Sequence, residues 1–271
     1  MLDFKFSVLL PVFFKENPDH FKLALESLKN QSLPANEVVI VKDGPLTNEL
    51  ENVISQYADL LPLNVFALEK NLGLGEALHF GLSNCSHEYV ARMDSDDICV
   101  RERFEKQAKA FLSDPKLDII GSYLNEFVHK IGDLKVIRRV PLKHEDIYKY
   151  TFYRCPFNHP TVMFKKSAVL KAGSYKRMPF FEDYYLWIRM AVTGCIFQNT
   201  DEILLNYRIG NNMISRRHGL KYAKHELAFF MSCYKEGLIN KTQLLRFMAR
   251  FPIRLMPIVM LEKFYAVVLR K

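Results

Sequence analysis

The sequence predicts an α/β protein with a mostly parallel central sheet flanked by helices, and two observations carry that prediction. Short apolar, β-branched runs alternate with longer amphipathic ones up to about Leu124, the pattern of strands joined by crossover helices. Acids then gather just past one apolar run, at Asp94, Asp96 and Asp97, the place where an open parallel sheet presents its ligand site.

Each element has its own signal. Phe6 to Phe13, Glu37 to Lys42, Asn64 to Leu68, Tyr89 to Met93 and Asp118 to Leu124 read as strands, bounded by turn residues. Between them, Asp19 to Asn30, Asn48 to Asp59, Gly75 to Asn84 and Arg101 to Leu112 place apolar residues at helical spacing, as in the stripe Phe21, Leu25 and Leu28. The second half is less regular, with strand-like Thr161 to Phe164 and Ile203 to Tyr207 and helix-like Asp183 to Val192 and His218 to Lys235. We expect one domain over residues 1–215, its halves meeting near 124, followed by a basic helical appendix over 216–271.

Composition narrows the function. Hydrophobic residues make up 49% of the 271, ample for a core, and the formal net charge is +8. That charge is uneven: from Ile239 onward seven bases, Lys241, Arg246, Arg250, Arg254, Lys263, Arg270 and Lys271, stand against the single acid Glu262. Five scattered cysteines without a C-x-x-C pair argue against a disulfide framework or zinc knuckle and fit a reducing cytoplasm. The run Val8 to Phe14 holds Pro11 and lacks a cleavage site, so a buried strand explains it better than a signal peptide. No uncharged apolar stretch approaches the roughly 20 residues that span a bilayer.

In Tyr89-Val-Ala-Arg-Met-Asp-Ser-Asp-Asp97 an apolar strand runs straight into carboxylates. Two of them one residue apart, Asp94 and Asp96, can face a hard cation together with the phosphates it carries. Asp97 is expected to cap the helix starting near Arg101. D-x-D alone also occurs in phosphatases of the haloacid dehalogenase type. A dinucleotide fingerprint is excluded at Asn71-Leu-Gly-Leu-Gly, because the third glycine would fall at Leu78.

Further motifs are Ser7-Val-Leu-Leu-Pro-Val-Phe-Phe-Lys-Glu16, Glu37-Val-Val-Ile-Val-Lys-Asp-Gly44, Asn71-Leu-Gly-Leu-Gly-Glu-Ala77, Asn158-His-Pro-Thr161 and Phe181-Glu-Asp-Tyr-Tyr-Leu-Trp187. In order and spacing they resemble glycosyltransferase family 2, the inverting class of GT-A fold. That resemblance implies that Pro11, Phe13 and Glu16 border the nucleoside pocket and that Asp43 bonds the base. An acceptor-only carboxylate suits the imide N–H of uracil, and an aromatic ring offers a stacking face. Phe13-Phe14 departs from the family, where many members carry Asn.

The resemblance also implies that Asn71 and Gly73 line the nucleotide site, that Arg92 and Asp94 contact the nucleotide, and that Asp94 and Asp96 hold Mn²⁺ or Mg²⁺. Asp183, with Glu182 beside it, is the implied catalytic base. His159 is expected to shape the acceptor side. Arg216 and Arg217, in the basic loop after Tyr207-Arg208, are candidates for the diphosphate and His218 for the metal.

The tail mixes cations with bulky aliphatics, which suits an anionic membrane surface, with a helical packing arm or dimer contact as the alternative, and not nucleic acid. The expected activity is transfer of a sugar from a nucleotide diphosphate, UDP first, to a lipid-linked or polysaccharide acceptor in bacterial surface glycan assembly, at the inner face of the cell membrane. A metal-dependent phosphatase and a non-catalytic glycan-binding protein are the alternatives.

Overall fold

The structure, a computed structural model, describes residues 2–210 and 219–249. Its contacts divide the chain into two compact units: Met1–Arg177 with Glu182–Ile209, and Met178–Phe181 with Gly210–Lys271.

The first unit is built on one sheet. Strands β1 (Phe6–Val12), β2 (Glu37–Lys42), β3 (Leu63–Ala67) and β4 (Tyr89–Arg92) lie in the order β3-β2-β1-β4, all parallel. They are joined by helices α1 (Pro18–Lys29), α2 (Asn48–Tyr57) and α3 (Leu74–Asn84), as the alternating pattern predicts. All of β1 and most of β2 are buried, which is why both read as continuous apolar runs, whereas the edge strand β3 is half exposed. Helix α1 starts where Pro18 needs no N–H partner and the Asn17 side chain accepts from the Asp19 and His20 amides.

Beyond β4 the sheet turns mixed. Helix α4 (Arg103–Ser113) leads to β6 (Ile119–Phe127), but β8 (Met163–Lys165) is inserted between β4 and β6, antiparallel to both. Strand β9 (Phe197–Arg208) runs parallel to β6, while β5 (Ile98–Cys99) pairs antiparallel with β9 and β7 (Val136–Arg138) with β6. The expectation of a mostly parallel sheet therefore holds for the first half and gives way to mixed pairing in the second. Short strands such as β5 and β7 carry too few residues to show a period. Thr161, expected in a strand, ends a 3₁₀ turn over His159–Thr161. Helices α5 (His144–Thr151), α6 (Lys166–Lys171) and α7 (Glu182–Val192) complete the unit.

Beneath the end of β4 lies a buried polar rack. Arg103 donates to the carbonyl of Arg92 at 2.7 Å, and Gln107, one turn along α4, donates to that of Thr161 at 2.7 Å. A fully buried guanidinium is tolerated there because it satisfies carbonyls where β4 leaves its regular ladder.

The second unit holds helices over Gly219–Lys235 and Lys241–Met248, the latter opened by a capping box between Asn240 and Gln243. Phe181 stacks on Phe229, and Phe230 on Phe247. No helix among the described residues is long and apolar enough to cross a membrane.

Candidate functional site

The strand order reverses between β1 and β4, since the chain passes from β1 to β2 to β3 and returns on the other side of β1. A crevice at the carboxyl ends of such strands is where α/β sheets bind ligands. Pairing of β1 with β4 ends at Leu9 and Arg92, and the last bond across is Met93 N–H to the Leu9 carbonyl at 3.1 Å. Two residues on, Pro11 pairs with Val41 of β2 alone. Its nitrogen, which has no hydrogen, is on the side where β4 has departed, so a central strand tolerates proline here.

Three groups meet at this edge. From β4 come Asp94, Asp96 and Asp97, with one carboxylate oxygen of each within 4.8 Å of the others. Asp96 is pushed up to about 7 by burial and then by the neighbouring charges of Asp94 and of Glu16 across the crevice. Asp97 is raised well above the carboxylate range by burial first and then by Asp94 and Asp96. Asp97 Oδ1 accepts from the Arg208 amide at 2.9 Å, and its Oδ2 has no hydrogen-bond partner among the described residues. Crowded, partly desolvated carboxylates with an orphan oxygen are the donor set a hard divalent cation fits.

From beyond the end of β1 comes Glu16, whose Oε2 accepts from Ser95 Oγ at 2.5 Å and Oε1 from the Asn17 amide at 2.8 Å. Burial raises it, the bonds from Ser95 and Asn17 oppose that, and the charge of Asp94 adds to the rise. Phe13 and Phe14 beside it are exposed by 39% and 46%, with their rings edge to face. Arg208, at the end of β9, donates through Nε to the Asp96 carbonyl at 3.0 Å and lies over the Phe127 ring.

The third group rests on β2. Asp43 is buried, and its two oxygens accept from the Leu72 amide at 2.7 Å and the Gly73 amide at 3.0 Å. This ties the Asn71 loop to the sheet, and Asn71 returns a bond to the Asp43 carbonyl at 3.3 Å. Gly73 has φ +93, open to glycine, and lets α3 start without a side-chain cap. At Gly75 a Cβ would lie 2.7 Å from the Lys176 carbonyl and 2.9 Å from Glu182 Cγ, so helix α3 abuts the start of α7.

Asp183 stands in the first turn of α7, its Oδ1 accepting from the Tyr184 amide at 2.7 Å and its Oδ2 lying 3.6 Å from Cys155 Sγ. The buried Tyr175 phenol is raised by burial and further by Asp183 and Asp94, against the pull of Arg92. One hydroxyl thus lies in the field of Asp94 and of Asp183 together.

Several expectations change. Asp97 does not cap α4: that helix begins at Arg103 after Glu102, which makes no side-chain cap bond, and Asp97 is fully buried in the acid cluster. Burial of an acid within an apolar-flanked run has no sequence signature. Arg208 stands in the sequence only as the residue before a basic loop, and its place at a strand's carboxyl end is the signal that could have found it. Ser95 and Tyr175 carry none. Arg216, Arg217 and His218 lie outside the described residues.

A four-strand parallel half, an acid cluster at its switch point and a helix opening on Glu-Asp define the class of nucleotide-diphospho-sugar transferases of GT-A fold. Residues 7–173 match the model of Glycosyl transferase family 2. The chain is 42% identical over 98% of its length to an uncharacterized glycosyltransferase of Haemophilus influenzae, 100% of which is covered. It is 41% identical to the amylovoran biosynthesis glycosyltransferase AmsE of Erwinia amylovora, over 96% of this chain and 97% of that one. It is 36% identical to a UDP-Gal:alpha-D-GlcNAc-diphosphoundecaprenol beta-1,3-galactosyltransferase of Escherichia coli, over 98% and 97%.

Among solved structures, S. aureus TarS with UDP-GlcNAc superposes with a TM-score of 0.67 at 18% identity, over 97% of this chain and 73% of that one. The Pyrobaculum calidifontis mannosyltransferase PcManGT with GDP-Man and Mn²⁺ gives 0.67 at 16% identity, over 98% and 76%. The chain belongs to glycosyl transferase family 2, and two of these relatives are named for steps in bacterial glycan assembly. These matches lend no support to the phosphatase or the non-catalytic glycan-binding alternative.

Proposed function

We propose that the protein transfers a sugar, with inversion, from a UDP-sugar to a lipid-linked acceptor in the assembly of a bacterial surface glycan. The observation that carries this reading is the cluster of Asp94, Asp96 and Asp97 at the switch point of the sheet, in a chain of this family. The galactosyltransferase relative acts with UDP-Gal on a diphosphoundecaprenol-linked sugar, and TarS holds UDP-GlcNAc, which supports a UDP donor and a lipid-linked acceptor.

The roles divide along the edge. Pro11, Phe13 and Glu16 border the nucleoside, with Phe13 offering an exposed ring face. Asp43 keeps the Asn71–Gly73 loop in place and retains lone pairs for an imide N–H. Asp94 and Asp96, with Asp97 beside them, would hold Mn²⁺ or Mg²⁺, which supplies neutralisation of the charge that builds on the leaving diphosphate. PcManGT, bound to Mn²⁺, supports that assignment. Arg216, Arg217 and His218 are assigned to the same diphosphate end.

Asp183 takes the proton of the acceptor hydroxyl as it attacks the anomeric carbon from the face opposite the diphosphate, with Glu182 fixing the start of α7 against Gly75. The domain reading follows: donor binding by residues 1–124, acceptor binding by 125–215, and a basic appendix over 216–271. We propose that this appendix holds the enzyme against the cytoplasmic face of the membrane; Leu245, 60% exposed one residue before Arg246, supports that reading.

The test is calorimetry with UDP, with and without Mn²⁺, followed by transfer from UDP-galactose and UDP-N-acetylglucosamine to a diphosphoundecaprenol-linked sugar. Metal-strengthened UDP binding and a new glycosylated lipid are the expected results. Binding of neither UDP nor metal removes the reading.

A further inference from the structure

We infer that Arg92 is a positioning residue, which orients the carboxylate of Asp94 and ties it through Tyr175 and His159 to the helix that carries Asp183. This rests on the reading of the donor site given above, and it replaces a direct nucleotide contact for Arg92.

Burial comes first. Arg92 is 1% exposed, so its guanidinium is not presented to a ligand in the crevice. Its side-chain bond runs from Nη2 to Asp94 Oδ1, two residues along the chain, and Asp94 is partly exposed at the cluster. Nε and Nη1 have no hydrogen-bond partner among the described residues. A buried guanidinium short of acceptors is costly, and it is retained here paired with the carboxylate of Asp94. The polar rack holds the other side: Arg103 donates to the Arg92 carbonyl at 2.7 Å, fixing the backbone from which the guanidinium reaches forward.

Tyr175 carries the link onward. Its hydroxyl is 3.1 Å from His159 Nε2, and the two rings lie 5.7 Å apart. His159 is held well below its ordinary range by burial and by Arg92, so it stands as a neutral ring. It packs edge-on to Trp187 at 5.8 Å, and Trp187 lies four residues after Asp183, on the same side of α7. The Arg92 amide donates to the Val162 carbonyl at 2.9 Å, directly after the His159–Thr161 turn, so the backbone that carries the guanidinium is tied to the turn whose histidine meets Tyr175 and the helix of the proposed base.

A residue acting through Asp94 and one touching the nucleotide differ in measurable ways. In calorimetry with UDP, Arg92→Gln is expected to weaken the Mn²⁺-dependent binding by about tenfold or more, the usual range for a partner of a metal ligand. Binding of UDP without metal should stay within about twofold. In an Asp94→Asn background the same substitution should add less than about twofold, because its effect passes through the removed carboxylate. Mn²⁺ binding read by electron paramagnetic resonance provides a signal independent of turnover.

Arg92→Lys, which keeps the charge and loses the fork, serves where Arg92→Gln fails to fold, and apo thermal melts separate the two cases. Tyr175→Phe should lower kcat with the donor KM unchanged. Equal losses of UDP affinity with and without Mn²⁺, or full additivity with Asp94→Asn, would overturn the proposal. A parent protein that binds no UDP at all would instead remove the donor-site reading on which it stands.

Discussion

Asp183 is the residue whose change should separate chemistry from binding. As the proposed base it acts only while the acceptor attacks, so Asp183→Asn should cut transfer by about 10²- to 10⁴-fold and leave UDP affinity in place. Isothermal titration beside a transfer assay reads both numbers, and a matching loss of UDP binding would count against the role. Gly44 makes a structural counterpart. It has φ +87, and a Cβ there would lie 2.7 Å from the Asn71 nitrogen, so Gly44→Ala should destabilise the fold by more than about 1 kcal/mol and loosen the Asn71 loop, visible as a lower Tm and a raised donor KM. At this scale the sequence was only partly legible. Asp94 and Asp96 stood out by spacing and by the strand before them, whereas Asp97 read as a helix cap and is instead buried in the same cluster, where Arg208, from more than a hundred residues away, donates to it.

Elements were more legible than residues. Strands β1 and β2 read as continuous apolar runs because both are buried on both faces, and β3 and β4 follow from their alternation with amphipathic helices. The strand-like Thr161 to Phe164 overlaps β8 at Met163 and Phe164, but the insertion of β8 between β4 and β6 was not legible, because its partners are set by tertiary contact. Glu37 shows what joins the elements. Its carboxylate accepts from Ser7 Oγ of β1 at 2.5 Å, from Asn64 of β3 at 2.8 Å and from Ser86 before β4 at 2.8 Å through the amide. Burial pushes Glu37 up, but these bonds outweigh it and its pKa is lowered from 4.5. A carboxylate lowered by folding stabilises above its ordinary value, and the gain is lost as pH falls through the folded value. Glu37→Gln should therefore cost about 1–3 kcal/mol at pH 7, and the gap in Tm from the parent should narrow as pH falls below 4.5. At the contact of α3 with α7, Gly75→Val should displace the Glu182 turn and lower kcat by about a hundredfold, with the melt reporting the accompanying loss of stability.

At the scale of the whole molecule the uneven charge is the informative feature. Cations of the appendix, from Lys241 onward, are interleaved with aliphatic residues, and most of them lie outside the described residues. Their proposed role is attachment to anionic lipid. Replacing Arg250, Arg254 and Lys263 together with Gln should reduce sedimentation with phosphatidylglycerol vesicles, at about 1 kcal/mol per cation, and leave transfer to a water-soluble acceptor near the parent rate. Unchanged sedimentation across salt concentrations would remove that role. Composition foretold this asymmetry, and the motifs foretold the family, but the division into two compact units did not follow from any linker, since Met178–Phe181 groups with the residues from Gly210 onward.

Pro11 has a consequence for how the cleft persists. Strands of one sheet tend to zip onward wherever amide hydrogens and carbonyls face each other, and a gap between neighbours is prone to heal. An imino acid at the very fork supplies no hydrogen for the next rung, so the split between β1 and β4 is maintained by covalent structure, independent of any guest. Putting an ordinary amide there, as in Pro11→Ala, would hand the fork a free N–H, inviting either a trapped solvent molecule or another rung of ladder at the mouth of the proposed donor site.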